Sequence, residues 1–500
     1  MKRVLLFFGI FLLCLRLSSQ EIEKPIRIDI PAEHANGDHH IAALGSDGVI
    51  FISRSNMKNQ EKVWVFTKYN TELKGQWSKE YHFRRKCYFG DFYYFNDVLY
   101  TYFIKKRFGK CMVEILKIDI KNETINNANV NIKVKANIVF SYFKVLDNKA
   151  FLVGNIKRKP VIVNIDLNSK KEKVIIPDIK GDLKVSCVNL SEEANVANVF
   201  IRMDNVNKIV YRNNNPIINE YNAKGKLNYS SIIKLESPKS LLDGTVLQVD
   251  ENEKISIGLY NSPAKISNKI EAEADGLYFC NIIDGLQKKI IYHSFKDIAN
   301  FRTFGRLLFH DEILVHNDKY LVVAERYTPI FHKEFQTGSD GKLSQVSVFD
   351  GYNYEYALVF AFDEDGSYLW YNKMDLGFLL QNLKERTKVL RNSTNDEIVL
   401  ACHNGGNFYS KTITDSEIAG TKQSVKIGTK SQFKSQTKAF IVNTSKEKRD
   451  KEKGTYETKM EHWYDNNFIT WGYQQIISPA KDKQQLFYFI KIAYDYDTKE

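Results

Sequence analysis

Few strings in this 500-residue chain are equipped for chemistry. AFDEDGSYLW (Ala361–Trp370) sets three carboxylates before a glycine and a tryptophan. Calcium takes about six to eight oxygens, and one acidic hairpin supplies too few. The string suits a turn between the third and fourth strands of a repeating unit, with Trp370 packed between units. His34, His39 and His40 stand beside Glu33 and Asp38, and imidazoles with a carboxylate can hold zinc. No second ligand cluster at a defined spacing accompanies them, so an exposed loop and no metal are expected. His310 and His316 flank a hairpin turn and read as structural. The sequence contains no G-x-S-x-G, no H-E-x-x-H and no phosphate-binding glycine loop. Carboxylate pairs for glycoside hydrolysis need only proximity in space, which a sequence does not display. The expectation is therefore no catalytic residue and no cofactor.

Candidate ligand-binding residues fall in an insertion, Arg326–Tyr354, reading RYTPIFHKEFQTGSDGKLSQVSVFDGYNY. Tyr327, His332, Tyr352 and Tyr354, with Phe331, form an aromatic set suited to sugar or peptide contact. The alternative is a loop that folds over its own unit and buries those rings. A second insertion, Gly420–Met460, carries eleven Lys/Arg against four Asp/Glu and includes SKEKRDKEKG. Such a charge run reads as a solvated loop, with an electrostatic docking patch as the alternative.

The elements that must position these residues repeat. Asn/Asp/Gly-rich turns open β-patterned runs at Val49, Val98, Ala150, Val199, Ile255, Tyr320, Ile398 and Phe468. A strand precedes each turn, as in CYFGDFYYF (Cys87–Phe95), and strands such as CMVEILKIDI (Cys111–Ile120) follow. Period-2 alternation with short polar turns predicts antiparallel meanders. A four-stranded meander recurring at about 50 residues is the signature of a propeller blade. The predicted fold is all-β: a single β-propeller of four-stranded antiparallel blades spanning 20–500, with eight blades and seven as the alternative. A set of β-sandwiches is the competing architecture. The last unit ends on its third strand, and KPIRIDI (Lys24–Ile30) is left over at the N-terminus. Ile26–Ile30 is expected to pair with Leu486–Tyr494 and close the ring. Only Leu376–Val389 has a helix-like pattern, and it reads equally as the start of a strand.

Residues 1–19 read as a signal peptide: Lys2 and Arg3, then an apolar run from Val4 to Leu15. Cys14 follows Leu13 rather than a small residue, which disfavours lipidation. No later stretch is apolar enough to span a membrane, so no transmembrane segment is expected in the mature chain. Loss of Lys2, Arg3 and Arg16 lowers the formal charge from +12 to +9. Export and this modest excess argue against nucleic acid and towards a protein or glycan of the cell envelope. Cys87, Cys111, Cys187, Cys280 and Cys402 are odd in number and widely spaced, so they read as buried small hydrophobes. A Cys87–Cys111 bridge is the alternative.

SVFDGYNYEYALVFAFDEDGSYLW (Ser347–Trp370), followed by EHWYDNNFITWGYQQI (Glu461–Ile476), resembles secreted, functionally uncharacterised propeller-like proteins of Bacteroidetes. The resemblance covers roughly the last third of the chain. It implies a secreted, periplasmic or outer-membrane-associated location and brings no assigned activity or site residue. The expected function is that of an exported, non-enzymatic propeller binding an envelope protein or extracellular ligand. A carbohydrate-active enzyme using carboxylates at the channel and a basic adhesion module are the alternatives.

Overall fold

The computed structural model describes residues 26–494 except 32–38, 56–61, 84–86, 108–109, 133–137, 180, 204–214, 263–272, 301–302, 338–342, 392–397, 405–406, 414–422, 427–439, 442–457 and 478–482. The leader, His34 and most of the Gly420–Met460 insertion thus lie outside the described residues. Local chemistry sets the strands. Runs of Val, Ile, Phe and Tyr alternate with polar residues, and tight turns break them. Asn96–Asp97, Asp147–Asn148 and Asn317–Asp318 each place two successive residues at positive φ. Asn and Asp tolerate that region, and the resulting turn twist suits a two-residue hairpin.

The described residues form eight antiparallel sheets, and six of them are four-stranded meanders in chain order. The first strands of blades 2 to 5 lie against one another, so each blade's first strand lines the centre. These inner strands include Tyr88–Phe95 in blade 2, Val139–Leu146 in blade 3, Leu183–Ser191 in blade 4 and Ser240–Gln248 in blade 5. The sixth blade has an interrupted inner strand, Arg306–Phe309 and Leu314–His316, and much longer second and third strands. The Leu376–Val389 stretch is the end of a strand, Tyr368–Leu380, a connection, and the start of the next at Lys388. One short α-helix, Phe295–Ala299, stands among the described residues, capped by Ser294.

The N-terminal strand Ile26–Pro31 forms the outer edge of blade 8. Ile26 lies opposite Lys491 and Pro31 opposite Leu486. Ring closure therefore follows the expected pairing. Packing completes it: each adjacent pair of blades shares one apolar seam. Blades 1 and 2 join through Trp64, Phe66, Phe83 and Phe103, blades 5 and 6 through Phe279, Phe295 and Phe360, and blades 8 and 1 through Phe51, Trp463, Phe487 and Phe489. Trp370 lies in the seam between blades 6 and 7. Asp363 caps the hairpin before it, accepting from Ser367 N at 2.7 Å. That string is scaffold, as its spacing suggested.

The five described cysteines are buried and none is in a disulfide, and burial pushes the Cys280 thiol up to about 12, so Cys280 is no nucleophile at neutral pH. Phe489 is fully buried in the closing seam. Phe489→Ala is expected to cost about 3–5 kcal/mol, read as a lowered urea midpoint with an unchanged β-sheet circular dichroism spectrum.

Candidate functional site

The inner strands of blades 2 to 5 share one irregularity. Register shifts interrupt them between Phe89 and Asp91, Phe140 and Tyr142, Val185 and Cys187, and Leu241 and Asp243. A bulge bends a strand and re-aims the residue that follows. Asp91, Tyr142, Cys187 and Asp243 thus occupy one level of four successive blades. Lys459 holds the matching place in blade 8: Thr470 Oγ1 donates to its carbonyl at 2.8 Å, as Thr101 Oγ1 does to the Asp91 carbonyl at 3.1 Å. Polar groups thus stand at corresponding inner-strand positions of blades 2, 3, 5 and 8.

One residue, Asp311, ties several blades together at this centre. In blade 6 the inner strand breaks at His310–Glu312, and Asp311 reaches neighbours from three other blades. Its carbonyl accepts from Asn189 Nδ2 of blade 4 at 3.2 Å and from Thr245 Oγ1 of blade 5. Its amide donates to Glu385 Oε1, on the connection into blade 7, at 2.9 Å. Its carboxyl meets the Tyr142 hydroxyl of blade 3, which also donates to the Ser186 carbonyl. Burial, then the Glu385 and Asp243 charges, push the Asp311 carboxyl up to about 7, against the pull of Tyr142. Asp243 pairs with Arg202, 3.3 Å away. A carboxyl raised this far beside other carboxylates is an arrangement that can donate or accept a proton.

Behind Asp311 lies a buried ion pair. Glu325, fully buried, accepts from Arg386 N at 2.8 Å, Thr387 N at 2.6 Å and Thr387 Oγ1 at 2.6 Å, and meets His310 Nε2 at 3.1 Å. Burial opposes both charges. The His310 hydrogen bond and charge still hold Glu325 low, while Glu385 and Glu325 hold His310 high. The pair pins the broken inner strand of blade 6 to blade 7, so His310 is structural, as is His316 at its hairpin end.

The predicted ligand-binding residues lie elsewhere. The Arg326–Tyr354 insertion is no loose loop. It prolongs the second and third strands of blade 6 into a hairpin arm, Lys319–Thr337 against Leu343–Phe362. Both strands run past the face on which the inner strands begin. Tyr354 is fully buried, and its hydroxyl donates to Lys384 O at 2.7 Å and accepts from Lys384 N at 2.8 Å. It anchors the arm and is not open to a ligand. Tyr327 and Tyr352 pack edge to face at 5.5 Å, and Phe349 continues the line to Tyr352 at 4.9 Å and Phe331 at 5.4 Å. His332 sits between Asp350 Oδ1 at 2.7 Å and Glu334 Oε1 at 2.8 Å; those carboxylates, Glu334 first, raise its pKa. Gly351 is required where the arm leaves the blade: φ is +138°, and a Cβ would lie 2.6 Å from the Leu380 carbonyl.

Sequence reasoning missed the central groups, because Asp91, Tyr142, Asp243 and Asp311 are remote in sequence. A repeat alignment of the inner strands offers the signal: a polar or aromatic residue at the same place before each hairpin. Of the N-terminal histidines, His39 bonds Tyr473 Oη at 2.9 Å; burial, then Arg54, depress it to about 4. His40 stacks on Phe89 at 3.8 Å. Among the described residues no group of three or more His, Cys, Asp or Glu converges as a metal site would.

No family model matches the chain, and no curated protein matches it. Among solved structures, the polysaccharide lyase Uly1 aligns at TM-score 0.41 and 9% identity, over 93% of this chain and 100% of that one. A PL25 ulvan lyase aligns at TM-score 0.39 and 6% identity, over 79% and 90%. A putative 6-phosphogluconolactonase from Bacteroides uniformis aligns at TM-score 0.35 and 8% identity, over 81% and 96%. The likenesses are too distant to transfer any residue's role.

Asp311 also makes a stability prediction. Its folded pKa lies above the unfolded value, so the carboxyl costs nothing at low pH and destabilises progressively between about pH 4 and pH 7. Asp311→Asn, a neutral isostere, should raise stability at pH 8 by on the order of 2–4 kcal/mol. The gain should vanish near pH 4 in urea titrations.

Proposed function

We propose that this protein is an exported binding module, and that the blade 6 arm docks it onto another protein of the cell envelope. The observation that carries the reading is one face of the arm. Phe331 pairs with Phe349, Lys333 with Ser347, Phe335 with Gln345, and Thr337 with Leu343. On that face Phe335 is 71% exposed, Leu343 70%, Phe331 55% and Phe349 38%. Large apolar side chains collected in one solvent-facing row mark an interaction site. The rings are already ordered against one another, and His332, Glu334 and Asp350 brace the hairpin. Little conformational entropy is left to lose on binding.

The main chain supports a polypeptide as the occupant. Beyond Tyr327 no described strand pairs with the outer edge of the arm's first strand, and beyond Tyr352 none pairs with its second. An exposed edge beside an alternating apolar row is what an added β-strand recognises. The leader-like N-terminus and the Bacteroidetes resemblance support an envelope location. No helix among the described residues is long and apolar enough to cross a membrane.

A carbohydrate-active role is the second reading, favoured by the Asp311, Glu385 and Asp243 carboxylates at the centre. Under it, Asp311→Asn abolishes turnover of an envelope glycan while leaving the fold intact.

The arm reading is tested with Phe331→Ser/Phe335→Ser. A stoichiometric partner is first isolated from the envelope with the wild-type protein, then purified and titrated. Each ring is expected to contribute about 2 kcal/mol, or ~30-fold in Kd, with the thermal midpoint unchanged. Unaltered affinity in the variant, or self-association of the wild type that the variant abolishes, overturns it.

A further inference from the structure

The exposed row on the arm carries one charge. Along the paired stretch from Phe331 to Thr337 the side chains alternate between two faces. Lys333 shares the face of Phe331 and Phe335, stands between them and lies opposite Ser347. Among the residues paired on that face it alone is charged. Lys333 is exposed and makes no ion pair among the described residues. The other face differs. His332 meets Asp350 at 2.7 Å and Glu334 at 2.8 Å, so charge there is matched within the hairpin.

In the free protein, water solvates the Lys333 ammonium. A strand laid along the outer edge of the arm's first strand covers Phe331 and Phe335 and removes part of that water. The cation then needs a carboxylate, or its lost hydration opposes docking. Residues directly opposed on neighbouring strands interact in pairs. Apolar partners suit the two rings, an acid suits the lysine, and a second cation is repelled. The spacing is symmetric about Lys333, so one partner pattern serves either strand direction.

A second copy of this chain fits that edge badly. Antiparallel pairing of two such edges that sets Phe331 against Phe335 also sets Lys333 against its own counterpart. The register that matches the rings is therefore the one that opposes like charges, and a lysine on an open edge acts against self-pairing.

We propose that the free edge of the arm takes an extended segment of a partner protein as an added β-strand, with an acidic residue set between two apolar ones at alternate positions. Main-chain hydrogen bonds supply affinity in such a mode, and the alternate side chains supply selectivity. The inference rests on the reading of the arm as a docking surface and names the chemistry of what docks.

The test uses the full-length mature protein and terminally blocked, fluorescein-labelled peptides with Val-Thr-X-Thr-Val at the centre, X being Glu, Gln or Lys. Binding is read by fluorescence anisotropy at low salt. The Glu peptide should bind about tenfold more tightly than the Lys peptide, with Gln between them, and added salt should narrow the difference. Lys333→Glu should invert the order, and Phe331→Ser/Phe335→Ser should weaken binding of the Glu peptide. N-methylation of the central Glu and the following Thr removes one donor that faces the arm, because successive N–H groups point to opposite sides of a strand, and should weaken binding roughly tenfold. Thermal midpoints check folding, and Lys333→Gln, which should level the three peptides, serves if Lys333→Glu fails to fold. No binding of the Glu peptide, an order that the Lys333 substitutions leave unchanged, full binding after N-methylation, or indifference to the Phe substitutions overturns the proposal. The docking reading survives such an outcome if the Phe substitutions still weaken binding of the purified envelope partner, and falls separately if they do not.

Discussion

Everything in this molecule depends on one requirement: a sheet edge cannot be left open between the last blade and the first. A linear array of meanders would expose main-chain donors and acceptors at its two ends. The chain removes them by giving Ile26–Pro31 to the far edge of blade 8, and the Phe51–Phe487–Phe489 seam locks that exchange from the inside. The eight seams are the same device repeated, with large side chains of one sheet packed on the next. Stability is consequently distributed around the ring, and no single blade can bury its own faces alone.

Closure then creates a space that no individual blade possesses. The inner strands of blades 2 to 5 carry their bulges at corresponding positions, so residues remote in sequence are brought around one centre. The chemistry there is collective. Burial, then the charges of Glu385 and Asp243 from other parts of the ring, raises Asp311. By contrast, Glu325 gathers His310, Arg386 N and Thr387 on its Oε1 and so fixes geometry.

The arm answers a different constraint. Blade 6 continues its hairpin beyond the ring because the chain keeps alternating, and Gly351 with Asp350 permits the bend at its base. Outside the ring there is no neighbouring sheet to cover Phe331, Phe335 and Leu343. Tyr354, inside the ring, shows the opposite fate for the same kind of residue: its ring is buried and its hydroxyl satisfied. Aromatic positions that look alike in one insertion thus divide into anchor and exposed surface according to distance from the ring.

The all-β class, the blade repeat, the eight units and the closing strand were legible in the sequence, because alternation and Asn/Asp turns are local and recur. Asn96–Asp97 and Asp147–Asn148 announce their hairpins through backbone preference alone. The place of Trp370 was legible for the same reason. Tertiary structure decided the rest. Whether Tyr352 is covered and whether Asp311 keeps its proton depend on which blades meet across the centre. Burial and charge are properties of that surrounding space, and no run of neighbouring residues encodes them.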